Sequence, residues 1–194
     1  MAGLALAQGR WDWGALVLTA FHCYLRPNEF LKVTEATVAL PVGQAGVLSL
    51  PWTKIGQQRG ARETVVVEDE LTLFWLRKVI ADRQRGQPLL EGNSYAFRKF
   101  FDRCISDLGL GGYGYKPYSL RRGGATHDFT LHQDLQRCLF RGRWGDIRTG
   151  RIYICDGAAL LAEFHMTVDP KTRVAKAIAS LRAVSKKAGF SRRR

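Results

Sequence analysis

Lys116-Pro117-Tyr118-Ser119-Leu120-Arg121-Arg122-Gly123-Gly124-Ala125-Thr126-His127 is the stretch on which the reading of this 194-residue chain turns. It follows a loop rich in glycine and tyrosine, Gly109–Pro117, and Ser119 stands where a helix N-cap would. A helix started there carries Arg121 in its first turn, beside the positive end of the helix dipole, a place suited to a phosphate. An arginine pair on a basic chain is by itself only a solvated face. Its meaning comes from the segments on either side.

Upstream, residues 11–25 place Trp13, Leu16, Val17, Ala20, Phe21 and Tyr24 at helical spacing, one apolar face. Leu25-Arg26-Pro27-Asn28-Glu29-Phe30 breaks that helix, because Pro27 disfavours helical backbone at Arg26. It leaves an arginine with a carboxylate three residues on. Downstream, Gly142-Arg143-Trp144-Gly145-Asp146-Ile147-Arg148-Thr149-Gly150-Arg151-Ile152-Tyr153 sets a tyrosine among arginines, nine positions after a tryptophan. Between these lie β-prone runs at Thr37–Leu40, Val47–Leu50 and Thr64–Val67. The last two predict a hairpin with Lys54 on its loop or at the loop's edge. The rest predicts helices: Glu70–Arg85, a stripe from Phe97 to Leu108 capped by Ser94 and stopped by Gly109, and shorter ones near 134–140, 148–153 and 156–166. Lys171–Arg194 is basic with weak helical periodicity. The fold class is α+β, mainly α-helical, with a small antiparallel β-sheet near the N-terminal third.

Composition sets the class of partner. Lys plus Arg number 30 against 17 Asp plus Glu, a formal charge of +13, which points to a polyanion and first to nucleic acid. With 46% hydrophobic and 24% charged residues the chain is globular rather than disordered. The apolar run Gly14–Phe21 falls far short of the roughly 18 residues a membrane span needs. The opening Met-Ala-Gly-Leu-Ala-Leu-Ala lacks the basic start of a signal peptide. Cys23, Cys104, Cys138 and Cys155 form no Cys-x-x-Cys pair, which argues against a zinc finger and for a reducing compartment. His127 and His132 stand without a metal-ligand pattern. The glycines of 109–114 follow a helix and lack a Gly-Lys-Ser/Thr ending, so they read as a plain loop.

Together and in order, these segments resemble the catalytic domain of the tyrosine recombinases, the phage-integrase family. That family's pattern is an Arg with Glu or Asp three residues later, a Lys on a β-hairpin, His-x-x-Arg, then His or Trp nine residues before a nucleophilic Tyr. Here the places are filled by Arg26 with Glu29, Lys54 in Trp52-Thr53-Lys54-Ile55-Gly56, Arg121 in Tyr118-Ser119-Leu120-Arg121, Trp144 and Tyr153. Leu120-Arg121-x-x-x-Ala125-Thr126-His127 also looks like the family's Leu-Arg-x-x-x-Ala-Thr-His context. The resemblance covers roughly residues 10–167 and predicts a catalytic domain over 1–167 with a basic C-terminal tail over 168–194. Tyr118 departs from the pattern, standing where the family usually has histidine, and Trp144 is the less common of two accepted options. Family members usually carry a core-binding domain ahead of the catalytic one. Met1 falls a few residues before the catalytic domain should begin, so the chain, lacking that front domain, is expected to be a fragment, a truncated gene product or a minimal descendant.

The resemblance implies site-specific DNA recombination or integration, as in a mobile genetic element, through a covalent 3′-phosphotyrosine intermediate. It implies double-stranded DNA as partner, self-association on DNA, no cofactor, no metal and no membrane. It also implies an intracellular location at DNA, in the nucleus of a eukaryote or the cytoplasm and nucleoid of a bacterium. Tyr153 is then the nucleophile. Arg26 and Arg121 are planar forks for the non-bridging oxygens, and the Trp144 N–H is a further donor. Lys54 supplies a proton to the leaving 5′-oxygen, and Glu29 orients Arg26. Tyr118 offers a hydrogen bond but no group that titrates near neutrality. Arg122, Arg143, Arg148 and Arg151 are expected to grip DNA. Two rivals stand beside this reading. One is type IB topoisomerase-like nicking and rejoining, whose fourth phosphate ligand is usually His. The other is a decayed or domesticated DNA-binding module that no longer turns over.

Overall fold

The computed structural model describes residues 1–50, 53 and 63–191. The chain opens with α1 (Ala2–Ala7), whose alanines and leucines are strong helix formers, and reaches α2 (Trp11–His22) past Gly9. Every residue of α2 from Asp12 to Ala20 is buried, so the single apolar face seen in the sequence is widened to a core helix, apolar on nearly all sides. Pro27 then occupies the first turn of the short α3 (Pro27–Phe30), where its missing N–H costs nothing.

A 3₁₀ turn (Glu35–Thr37) leads into a three-stranded antiparallel sheet of β1 (Val38–Ala39), β2 (Gly46–Leu50) and β3 (Glu63–Val67), in that order. Leu48 stands opposite both Val38 and Val65. Gly46, Leu48 and Leu50, with Val65 and Val67, face inward while Val47, Thr64 and Val66 face out, the alternation of a sheet covered on one side. The predicted hairpin is therefore present as β2–β3, and β1 is shorter than the run from Thr37 to Leu40. Lys54 lies outside the described residues.

The Asp69 carboxylate caps α4 (Glu70–Ala81), accepting from the Thr72 N–H at 2.7 Å. Asn93, not Ser94, caps α5 (Ser94–Asp107). Its side-chain oxygen reaches the N–H groups of Tyr95 and Ala96, which leaves Ser94 as the first helical residue. The same one-residue shift occurs at α6 (Ser119–His132), which follows a 3₁₀ turn at Gly111–Tyr113. There the Ser119 hydroxyl accepts from the Lys116 N–H at 3.0 Å and so closes the preceding turn instead of capping the helix. Gly124 brings α6 against α2, since a Cβ there would lie 1.9 Å from the Phe21 carbonyl oxygen. α7 (Leu135–Gly142), capped by Asp134, and α8 (Ile147–Tyr153), capped by Asp146, follow. After them come α9 (Asp156–His165) and the 20-residue α10 (Val168–Lys187).

The weak periodicity after Lys171 thus becomes a long docked helix. Ala177 and Ser185 of α10 are buried, and Gly3 of α1 is so close that a Cβ on it would lie 2.1 Å from the Ala177 carbonyl oxygen. Trp75, fully buried on α4, gives its indole N–H to the Ser185 hydroxyl at 3.0 Å, the partner a buried indole requires. The main core gathers α2, the inner face of the sheet, α4 and the phenylalanines of α5. A smaller cluster of Tyr24, Ala125 and Trp144, with Leu139 and Tyr153 against it, lies under the candidate site. Among the described residues no helix is long and apolar enough to cross a membrane.

Candidate active site

The site is assembled from helix ends. Pro27 holds Arg26 in extended backbone (φ −73°, ψ 153°) as the N-cap of α3. Glu29, three residues on, accepts the Arg26 backbone N–H on Oε2 at 2.8 Å and the Arg26 Nη1 on Oε1 at 2.7 Å. The spacing visible in the sequence therefore lets Glu29 close the first turn of α3 from its third position and orient the guanidinium as well. The Glu29 side chain is buried, whereas 37% of the Arg26 side chain stays exposed. Arg26 can thus meet a ligand without losing its carboxylate.

Arg143 approaches Glu29 from the other side. It follows α7 in left-handed backbone (φ +56°) and gives Nη2 to Glu29 Oε2 at 2.7 Å, with its Nε 3.5 Å from Glu63 Oε2. Arg121 is fully buried on α6. Its Nη2 donates to the Gly142 carbonyl at 2.7 Å, its Nη1 donates to the Tyr24 carbonyl, and Glu29 Oε2 lies 3.9 Å away. Tyr24 itself sits in left-handed backbone (φ +48°). Burial, then the charges of Arg26 and Arg143, pull the Arg121 pKa down to about 10, so it keeps its charge at neutral pH. Three guanidiniums share two carboxylates. Their excess positive charge is what an oxyanion would complete.

Over this cluster stands Tyr153, the last residue of α8. Its ring stacks on Trp144 at 4.5 Å and 19°, and Trp144 stacks in turn on Tyr24 at 6.2 Å and 16°. The Arg121 Cζ lies 5.1 Å from the Trp144 ring and 5.2 Å from the Tyr153 ring, both cation–π distances. The hydroxyls of Tyr118 and Tyr153 are hydrogen-bonded at 2.5 Å. Burial, then that hydrogen bond, push the Tyr118 phenol pKa up. Buried Thr126, one helical turn beyond Arg122, fixes the chain just past Tyr153. Its hydroxyl accepts the Cys155 N–H at 3.0 Å and lies 3.2 Å from the Tyr153 carbonyl oxygen.

The chain as a whole is similar in fold to solved structures. It matches the XerH site-specific recombinase bound to its difH substrate in a pre-cleavage complex, with a TM-score of 0.61 and 16% identity over 83% of this chain and 49% of that one. It also matches the XerH recombinase bound to a palindromic difH substrate in a post-cleavage complex, with a TM-score of 0.58 and 19% identity over 84% and 49%. The fold is that of a tyrosine-recombinase catalytic domain. The chain spans about half the length of the solved structures it matches. No family model matches the sequence, and no curated protein matches it significantly.

Within this tyrosine-recombinase fold, Arg26, Glu29, Tyr118, Arg121, Trp144 and Tyr153 come together from separate parts of the chain. Lys54 lies outside the described residues. Arg148 and Arg151 are exposed on α8, free to face a large anion. Arg122 is exposed too, although its Nη2 lies 3.1 Å from the Cys155 sulfur and 3.4 Å from the Ile152 carbonyl oxygen. Arg143, expected to grip DNA, turns its guanidinium inward to Glu29 and Glu63, because the left-handed turn after α7 folds it under the site. Trp144 offers its ring face to Tyr153, and its N–H is buried without a hydrogen-bond partner among the described residues. Thr126 and Tyr24 escape sequence reasoning as site residues. Thr126 stands in the Ala-Thr-His context quoted above, a usable signal; nothing local marks Tyr24.

Proposed function

We propose that this domain breaks and rejoins DNA strands, with Tyr153 as the nucleophile. One observation carries the reading: the Tyr153 phenol sits over an under-neutralised cluster of guanidiniums drawn from both ends of the domain. A scissile phosphate placed beside Arg26 would meet a planar, half-exposed fork already aimed by Glu29. Arg121, committed to two carbonyls, contributes its charge from behind the phenol ring. Fixed positive charge in a water-poor site stabilises the extra negative charge of a five-coordinate phosphorane.

In the forward step the Tyr153 Oη–P bond forms and the P–O5′ bond breaks. The phosphate remains on the tyrosine as a 3′-phosphotyrosine, and the departing 5′-oxygen takes a proton. By the resemblance, Lys54 supplies that proton. The ester keeps the energy of the broken bond, so a 5′-hydroxyl from another strand can attack it and restore the DNA. Thr126 and Trp144 act as positioning residues, the first on the backbone and the second under the ring. Double-stranded DNA as partner, self-association on it, and a location wherever the cell's DNA lies belong to the same proposal.

The test is a nicked suicide duplex that loses its 5′-hydroxyl fragment after cleavage. A covalent protein–DNA adduct that vanishes with Tyr153→Phe is the expected result. Firm duplex binding with no adduct at any pH would instead make the chain a DNA-binding module.

A further inference from the structure

We propose that Tyr118 and Tyr153 work as one phenol pair, in which the Tyr118 O–H donates to the Tyr153 oxygen and steadies the negative charge that oxygen must carry as it attacks. This rests on Tyr153 being the nucleophile and adds how that nucleophile is prepared. The two hydroxyls are in hydrogen-bond contact at 2.5 Å, and the rings lie 6.0 Å apart at 49°. They come from different elements: Tyr118 precedes α6, and Tyr153 ends α8. Neither is a core residue shaped only by packing, since Tyr118 is 36% exposed and Tyr153 is half-buried.

Two phenols this close cannot both ionise, because the second anion would form beside the first. The pair therefore loses one proton and keeps the other in the shared bond, and its titration belongs to both residues together. Which oxygen keeps the proton follows from the surroundings. Tyr153 lies against the Arg121 guanidinium, 5.2 Å from its ring, and on the Trp144 face. Arg26, Glu29 and Arg143 gather around that same guanidinium from α3 and the turn after α7, with Glu63 of β3 beyond Arg143, and the three guanidiniums outnumber the two carboxylates. Burial and the bond to Tyr153 favour the protonated form of Tyr118. When Tyr153 attacks, its proton goes to water and the Tyr118 proton stays in the shared bond.

The arrangement serves both directions of the reaction. An esterified Tyr153 oxygen is a poor acceptor, so Tyr118 is released once the adduct forms. When the strand is resealed, the departing phenolate regains its donor. Tyr118 is thus a positioning residue that replaces the imidazole of the related pattern with a hydrogen bond to the nucleophile rather than with a neutral-pH titration.

The experiment has two arms on the full chain. In the first, DNA-free protein carrying ¹³Cζ-tyrosine is titrated by NMR, with the Tyr153 signal assigned by its loss in Tyr153→Phe. Tyr118→Phe should raise the pH of that signal's transition by roughly one unit, a tenfold fall in its ionisation constant, as expected for loss of one hydrogen bond to an anion. In the second, the pH–rate profile of single-turnover adduct formation should shift upward by the same amount in Tyr118→Phe. Tyr118→His, which keeps a donor, should return cleavage to at least the native rate. An unmoved Tyr153 transition in Tyr118→Phe overturns the pair. A moved transition with no adduct from any protein leaves the pair standing and overturns the recombinase reading.

Discussion

Glu29 holds Arg26 through both of its oxygens and meets Arg143 from the opposite side, and the side chains of Glu29 and Arg143 are nearly dry while Arg26 keeps one edge in water. Glu29→Gln keeps the volume but takes a negative charge from among three guanidiniums. Removing one member of a buried ion cluster costs about 3 kcal/mol or more. The variant should unfold at correspondingly lower urea, and its adduct formation should fall at least tenfold as Arg26 loses its aim. Wild-type stability in Glu29→Gln would show that the cluster is solvated and idle. Thr126→Val asks a subtler question, because the shape survives while the Cys155 N–H loses its acceptor. A cost of about 1–2 kcal/mol is expected, with slower adduct formation and unchanged duplex affinity; equal loss of binding and cleavage would make Thr126 merely structural. At this scale the sequence was legible where function depends on local spacing, as in Arg26 with Glu29 or Trp144 with Tyr153. It was not legible for Arg143, which reads as one more arginine in a basic stretch until the left-handed turn after α7 buries it.

Among the elements, α2 and α6 form the frame on which Arg121 is hung. Their approach depends on Gly124, because an added Cβ would strike the Phe21 carbonyl oxygen at 1.9 Å, and backbone cannot step aside. Gly123 is different: its Cβ would meet only the Phe21 ring edge, at 3.2 Å, and a ring can turn. Gly124→Ala should therefore cost about 3 kcal/mol, the upper end for overpacking, and Gly123→Ala less than about 1 kcal/mol. Thermal unfolding of the two variants side by side decides the matter, and equal melting temperatures would contradict the close packing. Gly124→Ala should also silence cleavage, since moving α6 takes Arg121 off the carbonyls of Tyr24 and Gly142. Helix identity was readable from apolar spacing at α2, α4 and α5, and cap positions were off by one at both α5 and α6. Serine is a good cap in either place, but which residue serves depends on whose side chain reaches a free N–H: Asn93 does so at α5, and Ser119 is occupied by Lys116 at α6.

For the whole molecule, the excess of cations is unevenly used. Several arginines are consumed internally, with Arg137 and Arg141 on Glu68 and Arg143 on Glu29, whereas α10 keeps Lys171, Lys176, Arg182, Lys186 and Lys187 exposed. Its periodicity was faint in the sequence because the buried side is made of small or polar residues, Ala177 and Ser185, fitted to Gly3 and to Trp75. Once that side is known, the five cations fall on the opposite one. Lys171 to Lys187 spans about 24 Å at roughly 1.5 Å per residue, close to the length of seven base pairs at about 3.4 Å each. A helix so charged is expected to lie along a duplex backbone without reading its sequence. Replacing Lys171, Lys176, Arg182 and Lys186 with glutamine touches no buried contact, so the melting temperature should stay put. Duplex affinity should fall by a similar factor for every sequence. The slope of log affinity against log salt should flatten by about 0.9 for each phosphate no longer neutralised, hence by roughly 2 to 4 in all if most of these side chains engage. A slope unchanged in the quadruple variant would mean that DNA never meets α10, and that the electrostatic footprint lies on the face of Arg148 and Arg151 around Tyr153.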